Sequence, residues 1–289
     1  MNGWLIVNSF VDSSKFKELY TLLLEAAGKQ NIRLELRKGY ELTNIVGHRC
    51  PEKDLPDFAL FWDKDIMLAK ELEEMGVRLF NSSRAISACD NKAETYLQLS
   101  KASIRIPKTI TAPKTFEGLG YTDFSFLKIA IQKLGLPIVI KECFGSFGQQ
   151  VYLAKNEAEA KAVIQKIGHK DFVFQEFISS SYGKDVRINV VGRQVIASML
   201  RYNDNDFRSN ISNGGSMRCY IASEEQKALA IASVEALKLD FAGVDIMFGP
   251  NEEPIVCEVN SNPHFKSTLD CTGVNLADDI IKHIVKELK

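Results

Sequence analysis

The sequence predicts a mixed α/β and α+β protein: a small parallel α/β domain at residues 1–90, then two α+β subdomains at 91–178 and 179–289 around a shared cleft. Three observations carry this. A chain of 289 residues is long for one compact core. Its first third alternates short apolar runs with helical stretches, the signature of a parallel sheet. Its last third joins strands by tight connections, which only antiparallel neighbours allow.

In the first third, WLIVN (4–8) reads as a strand. The helix after it puts Phe16, Leu19, Tyr20, Leu23 and Ala27 on one face. IRLELRK (32–38), FALFW (58–62), the helix DIMLAKELEEMG and the strand VRLFN (77–81) continue the alternation. From NKAETYLQLSKAS the order changes: a helix, an extended RIPKTITAP, a helix near 124–135, LPIVIKE, QVYLA, a helix near 157–168 and DFVFQEFI. DVRINVV and QVIASMLR are then separated only by Gly192-Arg193, a glycine-first turn suited to a two-residue hairpin. Ser223 and Gln226 make a capping box opening a long helix. FAGVDIMFG and PIVCEVN form a second hairpin, and NLADDIIKHIVKEL closes the chain as an amphipathic helix.

Composition limits the partners. With 36 basic and 37 acidic side chains there is no net field for nucleic acid or an anionic membrane, so any anion site is local. The start MNGWLIVNSF lacks a secretory leader, and no run approaches the roughly 20 apolar residues of a bilayer span, which predicts a cytoplasmic location. Cys50, Cys89, Cys143, Cys219, Cys257 and Cys271 are dispersed without a CxxC pair. They read as reduced thiols, not a zinc site or disulfide framework.

Three constellations carry chemistry. If Gly249 pairs with Pro254, Asp245 of GVDIM falls opposite Glu258 of CEVN, with Asn260 on the same face as Glu258. Like charges face to face imply a hard dication between them, and so sparse an oxygen set suits Mg²⁺ better than Ca²⁺. The plain alternative is a polar hairpin face. In KECFGSFGQQV (141–151), Gly145, Ser146 and Gly148 let backbone N–H groups approach phosphate, with Lys141 at the strand end as a point charge. This is no Walker A loop, because GxxxxGK[ST] is absent and a strand follows; an ordinary turn would look similar. The third is the basic cluster Lys184, Arg187, Arg201 and Arg208, in which the hairpin register sets Lys184 opposite Arg201 and asks for an anion between them. The loop NDNDFRSNISNGGS (203–216) offers Arg208 and Asn210 to a phosphoryl group, unless it is only a solvated loop. His169 reads as a surface turn; His264 is placed equally well in contact with substrate or in structure.

Taken together, QEFI, KDVRINVVG, ASMLR, DFRSNISNGG, FAGVDIM, CEVNSNP and CTGVNLADDI resemble, in order, the RimK-like ATP-grasp ligases over roughly residues 90–289. CDNKAETYLQL resembles the start of that region. The resemblance implies an ATP-grasp fold with ATP between the two α+β subdomains, under the glycine loop 143–150. It implies that Lys92 and Lys141 contact phosphates, that the backbone at Glu176 and Phe177 holds adenine, and that Asp185 sits by the ribose. Arg208, Ser209 and Asn210 match the phosphate-binding loop, Arg201 a catalytic or phosphate-contacting arginine, and Asp245, Glu258 and Asn260 the Mg²⁺ ligands, which Mn²⁺ would also suit. Two stretches depart from the family: ECFGSFGQQ replaces a Gly-Ser-Gln-Gly-type loop, and SNPHFKS is as similar to the ligases of amino-group-carrier lysine synthesis as to glutamate-adding ones.

The expected reaction is ADP-forming ligation. A carboxylate attacks the γ-phosphorus, and an amine displaces phosphate from the acyl phosphate. The partners are ATP, an amino acid such as glutamate and a carboxylate acceptor, whether small molecule, peptide or protein C-terminus; self-association into a homo-oligomer is left open. The rival readings are a kinase on the same fold and a non-catalytic nucleotide-binding regulator.

Overall fold

The structure is a computed structural model, and it describes residues 1–43, 45–46, 55–146 and 148–289. Of the features singled out above, Cys50 and the Phe147 position of the glycine loop lie outside the described residues.

The first sheet is built from β1 (Asn2–Val7), β2 (Arg33–Lys38), β3 (Phe58–Trp62) and β4 (Arg78–Phe80), ordered β2-β1-β3-β4. All its pairs are parallel, as the alternation with α1 (Ser14–Lys29) and α2 (Ile66–Glu74) predicts. On α1 the face Leu19, Tyr20, Leu23 and Ala27 is buried, with Ala26 beside it, while Phe16 is only partly covered. α3 (Ser83–Asp90) was not expected, and it leads at once into α4 (Lys92–Lys101). Ser82 and Asn91 cap the two helices with their side chains.

The second sheet holds β5 (Thr109–Thr111), β6 (Ile138–Glu142), β7 (Val151–Ala154) and β8 (Phe172–Glu176), ordered β5-β8-β6-β7 and antiparallel throughout. α5 (Ser125–Leu134) and α6 (Glu157–Ile167) pack on it, burying Leu127, Ala130, Ala160 and Ile164 with Phe172 and Phe174.

The third sheet runs β11-β10-β9-β12-β13. Its strands are β9 (Lys184–Val191), β10 (Gln194–Tyr202), β11 (Ser216–Cys219), β12 (Phe241–Phe248) and β13 (Pro254–Asn260). α7 (Glu224–Ala236) starts at the expected box, with Ser223 and Gln226 each bonding the other's backbone. α8 (Lys266–Thr272) and α9 (Leu276–Glu287) follow β13. The first and third sheets share one core: Trp62 stacks on Phe241 at 5.4 Å, and Ile280, Ile281 and Ile284 of α9 join Leu19 and Leu23 of α1. Asn81 ties the same seam, its Nδ2 donating to the carbonyls of Phe241 and Ser261. No helix among the described residues is long and apolar enough to cross a membrane.

Two registers carry the site. The turn at Gly192, whose φ of 57° suits glycine, pairs Gln194 with Val191 as expected. A bulge between Val195 and Ala197 then shifts the rest of β10 by one residue, so Arg201 faces Asp185 and Lys184 faces Tyr202. The expected opposition of Lys184 and Arg201 is therefore corrected, and no anion is needed between them. In the second hairpin Phe248, not Gly249, pairs with Pro254. A bulge between Asp245 and Ile246 absorbs Cys257 and restores Asp245 opposite Glu258, with Gly243 opposite Asn260.

Candidate active site

One cleft opens between the second and third sheets, with roughly 900 Å³ of space between its walls when the open solvent at its mouth is included. It is lined by Lys92, Lys141, Ser146, Glu176, Phe177, Asp185, Arg201, Arg208, Ser209, Asn210, Asp245 and Glu258. Of the residues singled out above, Lys184 is also on this wall, while Arg187, His264 and Asn260 are off it, Asn260 two positions beyond Glu258 on β13.

The floor is a network of ion pairs. Arg201 donates from Nε (2.8 Å) and Nη2 (2.6 Å) to the two oxygens of Asp185, and Nη2 also lies 2.9 Å from Asp245. Arg187, from the neighbouring strand, holds Asp245 through Nε to Oδ1 and through Nη2 to Oδ2 at 2.9 Å. Asp245 is 2% exposed. Burial alone would raise its pKa, but Arg187 and Arg201 outweigh this and hold the carboxyl below the ordinary range. Much of the charge opposition that suggested a dication is thus met by two guanidiniums.

Gly243 makes this possible. A Cβ there would lie 2.9 Å from the Pro263 side chain and 3.2 Å from Arg187 Nη1, so a larger residue would press on Arg187 where it reaches the opposed Asp245.

The roof is the glycine loop. Lys92, capped into α4, donates from Nζ to the Gly145 carbonyl at 3.0 Å and lies 3.8 Å from Glu258. Lys141, at the end of β6, donates to the Tyr96 hydroxyl at 3.1 Å, and Tyr96 donates to the Cys257 carbonyl at 2.7 Å. Tyr96 escaped the sequence reading because it lies on the buried face of α4 as any core aromatic would. Arg208 grips Asp206 with Nε (3.0 Å) and Nη2 (2.7 Å), and its Nη1 donates to the Gly148 carbonyl at 2.7 Å, joining loop 203–216 to the roof. Gly148 has φ 71°, and a Cβ on it would meet Asn210 Oδ1 at 2.5 Å.

At the far end, Glu176 closes β8, accepting from the Lys108 N–H at 2.7 Å, and Phe177 packs edge-on against Phe207 at 6.4 Å. Asp185, expected beside a ribose, lines the cleft but gives both oxygens to Arg201.

No cluster of three His, Cys, Asp or Glu side chains suits a metal among the described residues. A metal here would draw on two carboxylates, an amide and substrate oxygens, a donor set that suits Mg²⁺. Asn260 Nδ2 is buried without a hydrogen-bond partner among the described residues; it is the amide oxygen, Oδ1, and not this donor nitrogen, that would face a metal.

The family model of the RimK-like ATP-grasp domain matches residues 89–284. The chain is 32% identical over 267 residues to the uncharacterized MG012 homolog of Mycoplasma pneumoniae, covering 91% of this chain and 92% of that one. It is 36% identical over 206 residues to N-acetylaspartylglutamate synthase A of Homo sapiens, covering 70% of this chain and 51% of that protein. A solved RimK domain ATP-grasp protein from Sphaerobacter thermophilus has the same fold, with a TM-score of 0.75 at 20% identity over 98% of both chains.

Proposed function

Because the chain belongs to the RimK-like ATP-grasp family, we propose that it is a Mg²⁺-ATP-dependent ligase joining the amine of an amino acid, such as glutamate, to a carboxylate. The observation that carries this reading is the convergence of Lys92, Lys141, Arg208 and the Asp245–Glu258 pair on one cleft. Glutamate as the amine is supported by the likeness to a protein named for making N-acetylaspartylglutamate.

In this reading the adenine lies at Glu176 and Phe177, with the ribose toward Asp185 and the phosphates under the glycine loop. Asp245, Glu258 and Asn260 hold Mg²⁺, which supplies Lewis-acid neutralisation of phosphate oxygens; Mn²⁺ suits the same donors. Lys92 and Lys141 offset charge on the phosphates, and Arg208, Ser209 and Asn210 face the transferring group. Arg201 contributes by fixing Asp185 and Asp245, with its charge felt at the cleft floor. A substrate carboxylate oxygen bonds to the γ-phosphorus and ADP leaves. The amine then attacks the acyl carbon, and the carbon–oxygen bond to phosphate breaks. The loop contacts at Gly145 and Gly148 keep water from the acyl phosphate.

The test is ADP release from ATP and Mg²⁺ across a library of carboxylates and amino acids, with product mass read for each active pair. Release requiring both partners and a product one water lighter than their sum supports the ligase. A phosphorylated product released without amine makes it a kinase, and nucleotide binding with no turnover makes it a regulator.

A further inference from the structure

Dispersed as they are in sequence, two of the cysteines meet in space. Cys219 ends β11, and Cys271 lies in the last turn of α8, 52 residues further on. Their sulfurs are 3.7 Å apart, with Cys271 Sγ donating to Cys219 Sγ. The Cys219 thiol in turn donates to the Cys271 carbonyl, one of those a helix leaves unpaired at its C-terminus.

The third sheet brings them together. Cys219 pairs with Met199, Met199 with Arg187, Arg187 with Asp245 and Asp245 with Glu258, so Cys219 heads the cross-strand row that ends in the acid pair. Paired residues point to one side of a sheet, and α8 covers that side at β9, β10 and β11. Thr268 seats it there, accepting from Asn189 Nδ2 at 2.9 Å and meeting Met199 Sδ at 3.9 Å. Cys271, three residues on, shares the helix face of Thr268 and comes down on Cys219. Each thiol belongs to a segment tied to the cleft. β11 follows loop 203–216, which brings Arg208, Ser209 and Asn210 to the wall, and α8 follows β13, which brings Glu258.

The two thiols are unequal. Cys219 is the one exposed cysteine among the described residues, and Cys271 is half-buried. Burial, then the hydrogen bond and charge of Cys219, pushes the Cys271 thiol up to about 11. An oxidant therefore meets Cys219 first. Once Cys219 is capped in a mixed disulfide it bears no charge, so of these causes its charge no longer opposes a thiolate at Cys271.

We propose that Cys219 and Cys271 are a reversible redox dithiol whose disulfide staples α8 to β11. The oxidant is a small-molecule disulfide such as glutathione disulfide. The Cys219 sulfur, giving up its proton, bonds to one sulfur of the oxidant, whose own S–S bond breaks and releases one thiolate. The Cys271 sulfur, also deprotonated, then bonds to Cys219 Sγ, and the mixed disulfide breaks to release the second thiolate. The two protons pass to the two thiolates, so two protein sulfurs are oxidised and the two oxidant sulfurs reduced. The protein sulfurs close from 3.7 Å to about 2.05 Å. This thiol chemistry is independent of the ligase reading.

The test uses the full chain in glutathione buffers of increasing oxidising poise, with free thiols alkylated and tryptic peptides read by mass. Peptides 219–227 and 267–282 should become linked within one chain, and dithiothreitol should release them. Amide exchange across 216–219 and 266–272 should slow about tenfold or more in the linked protein, because each segment must now carry the other when it opens. Cys271→Ser should stop at the glutathione adduct on Cys219, and Cys219→Ser should leave Cys271 open to alkylation. No linked peptide in wild type at any poise overturns the proposal. So does a covalent dimer through Cys219 in place of the internal link, a linked peptide through another cysteine in equal yield, or unchanged exchange in the linked protein. Because the wild-type measurements decide these outcomes, a serine variant that fails to fold leaves them standing.

Discussion

Arg201 lies directly opposite Asp185 on the paired strands β9 and β10, and its Nη2 also reaches Asp245 at 2.9 Å, so one guanidinium joins two strands and both buried acids of the floor. The charges balance as a set: Asp185 and Asp245 against Arg187 and Arg201. Removing one acid breaks that balance inside a site where Asp245 is 2% exposed.

Asp245→Asn should therefore cost folding stability as well as turnover. It leaves two guanidiniums sharing one carboxylate, and breaking a buried ion pair costs about 3–5 kcal/mol. Glu258 differs: its side chain is 32% exposed and its nearest cation, Lys92, is 3.8 Å away. Glu258→Gln should shift stability by less than about 1 kcal/mol while still abolishing Mg²⁺-dependent turnover. Thermal unfolding and nucleotide binding of both variants check this; equal melting temperatures would show that Asp245 is not the keystone of the floor.

Gly243→Ala tests the room that Arg187 needs to reach Asp245. The added methyl would meet Pro263 at 2.9 Å and Arg187 Nη1 at 3.2 Å, so one of them must move. Overpacking of this kind costs about 1–3 kcal/mol. Arg187 is the more flexible of the two, so the variant should fold with Asp245 poorly held and with weakened Mg²⁺ affinity. Isothermal titration of Mg²⁺ with bound nucleotide is the measurement.

β1, β3, α1 and α2 were legible because each buries a continuous apolar run or one helical face, whereas β2, largely exposed at the sheet edge, was legible only through its alternation. The metal row was legible too, though through two compensating offsets. The hairpin closes at Phe248, one residue earlier than expected, and the bulged Cys257 restores Asp245 to Glu258. On β10 the bulge has nothing to compensate it, so Lys184 was set opposite Arg201 where Asp185 belongs. A bulge leaves no mark in an apolar alternation, because its cause is the packing of the sheet and not the identity of the extra residue. β11 was missed because SMRC is a short, largely exposed edge strand, and α8 because its seven residues follow a proline-containing turn. His264 was visible as a candidate, but its surroundings were not, because its ring packs edge-on against Phe16 of α1, far away in sequence.

The roof should respond to pH only in acid. Hydrogen bonds from Arg208, offset in part by burial, hold the Asp206 carboxyl below its ordinary value of 3.8. A group depressed in the folded state stabilises fully above its unfolded pKa and loses that contribution as pH falls through the folded value. The Asp206–Arg208 grip should thus be constant through the neutral range and fail only below the usual carboxylate range. Amide protection at Gly145, Ser146 and Gly148, corrected for intrinsic rates, should be flat near neutrality, rise with ATP and Mg²⁺, and fall in Asp206→Asn. Unaltered protection in that variant would separate loop 203–216 from the roof.

Arg208 can act in two ways that kinetics distinguish. As a latch, it holds the roof through Nη1 to the Gly148 carbonyl while Asp206 fixes the rest of the guanidinium. As a phosphoryl contact, it meets charge that develops only in the transition state. Lysine keeps the charge but has one nitrogen where the fork has three, so Arg208→Lys cannot hold Asp206 and Gly148 together as arginine does. A latch alone predicts faster exchange at Gly148 and weaker ATP binding, with kcat falling only as far as water competes for the acyl phosphate. A transition-state contact predicts a kcat loss of about 10²–10³-fold, or 2.7–4 kcal/mol, with ATP affinity nearly unchanged, since binding the ground state never used the interaction. The side chain is 26% exposed and lines the cleft beside Ser209 and Asn210, where a purely structural arginine would gain little from facing inward. The expected outcome is therefore the large kcat loss in Arg208→Lys and a further loss in Arg208→Ala, read by steady-state kinetics on the active substrate pair. A loss below about threefold in both variants would leave Arg208 as a latch and move the phosphoryl contact to Lys92 or Lys141.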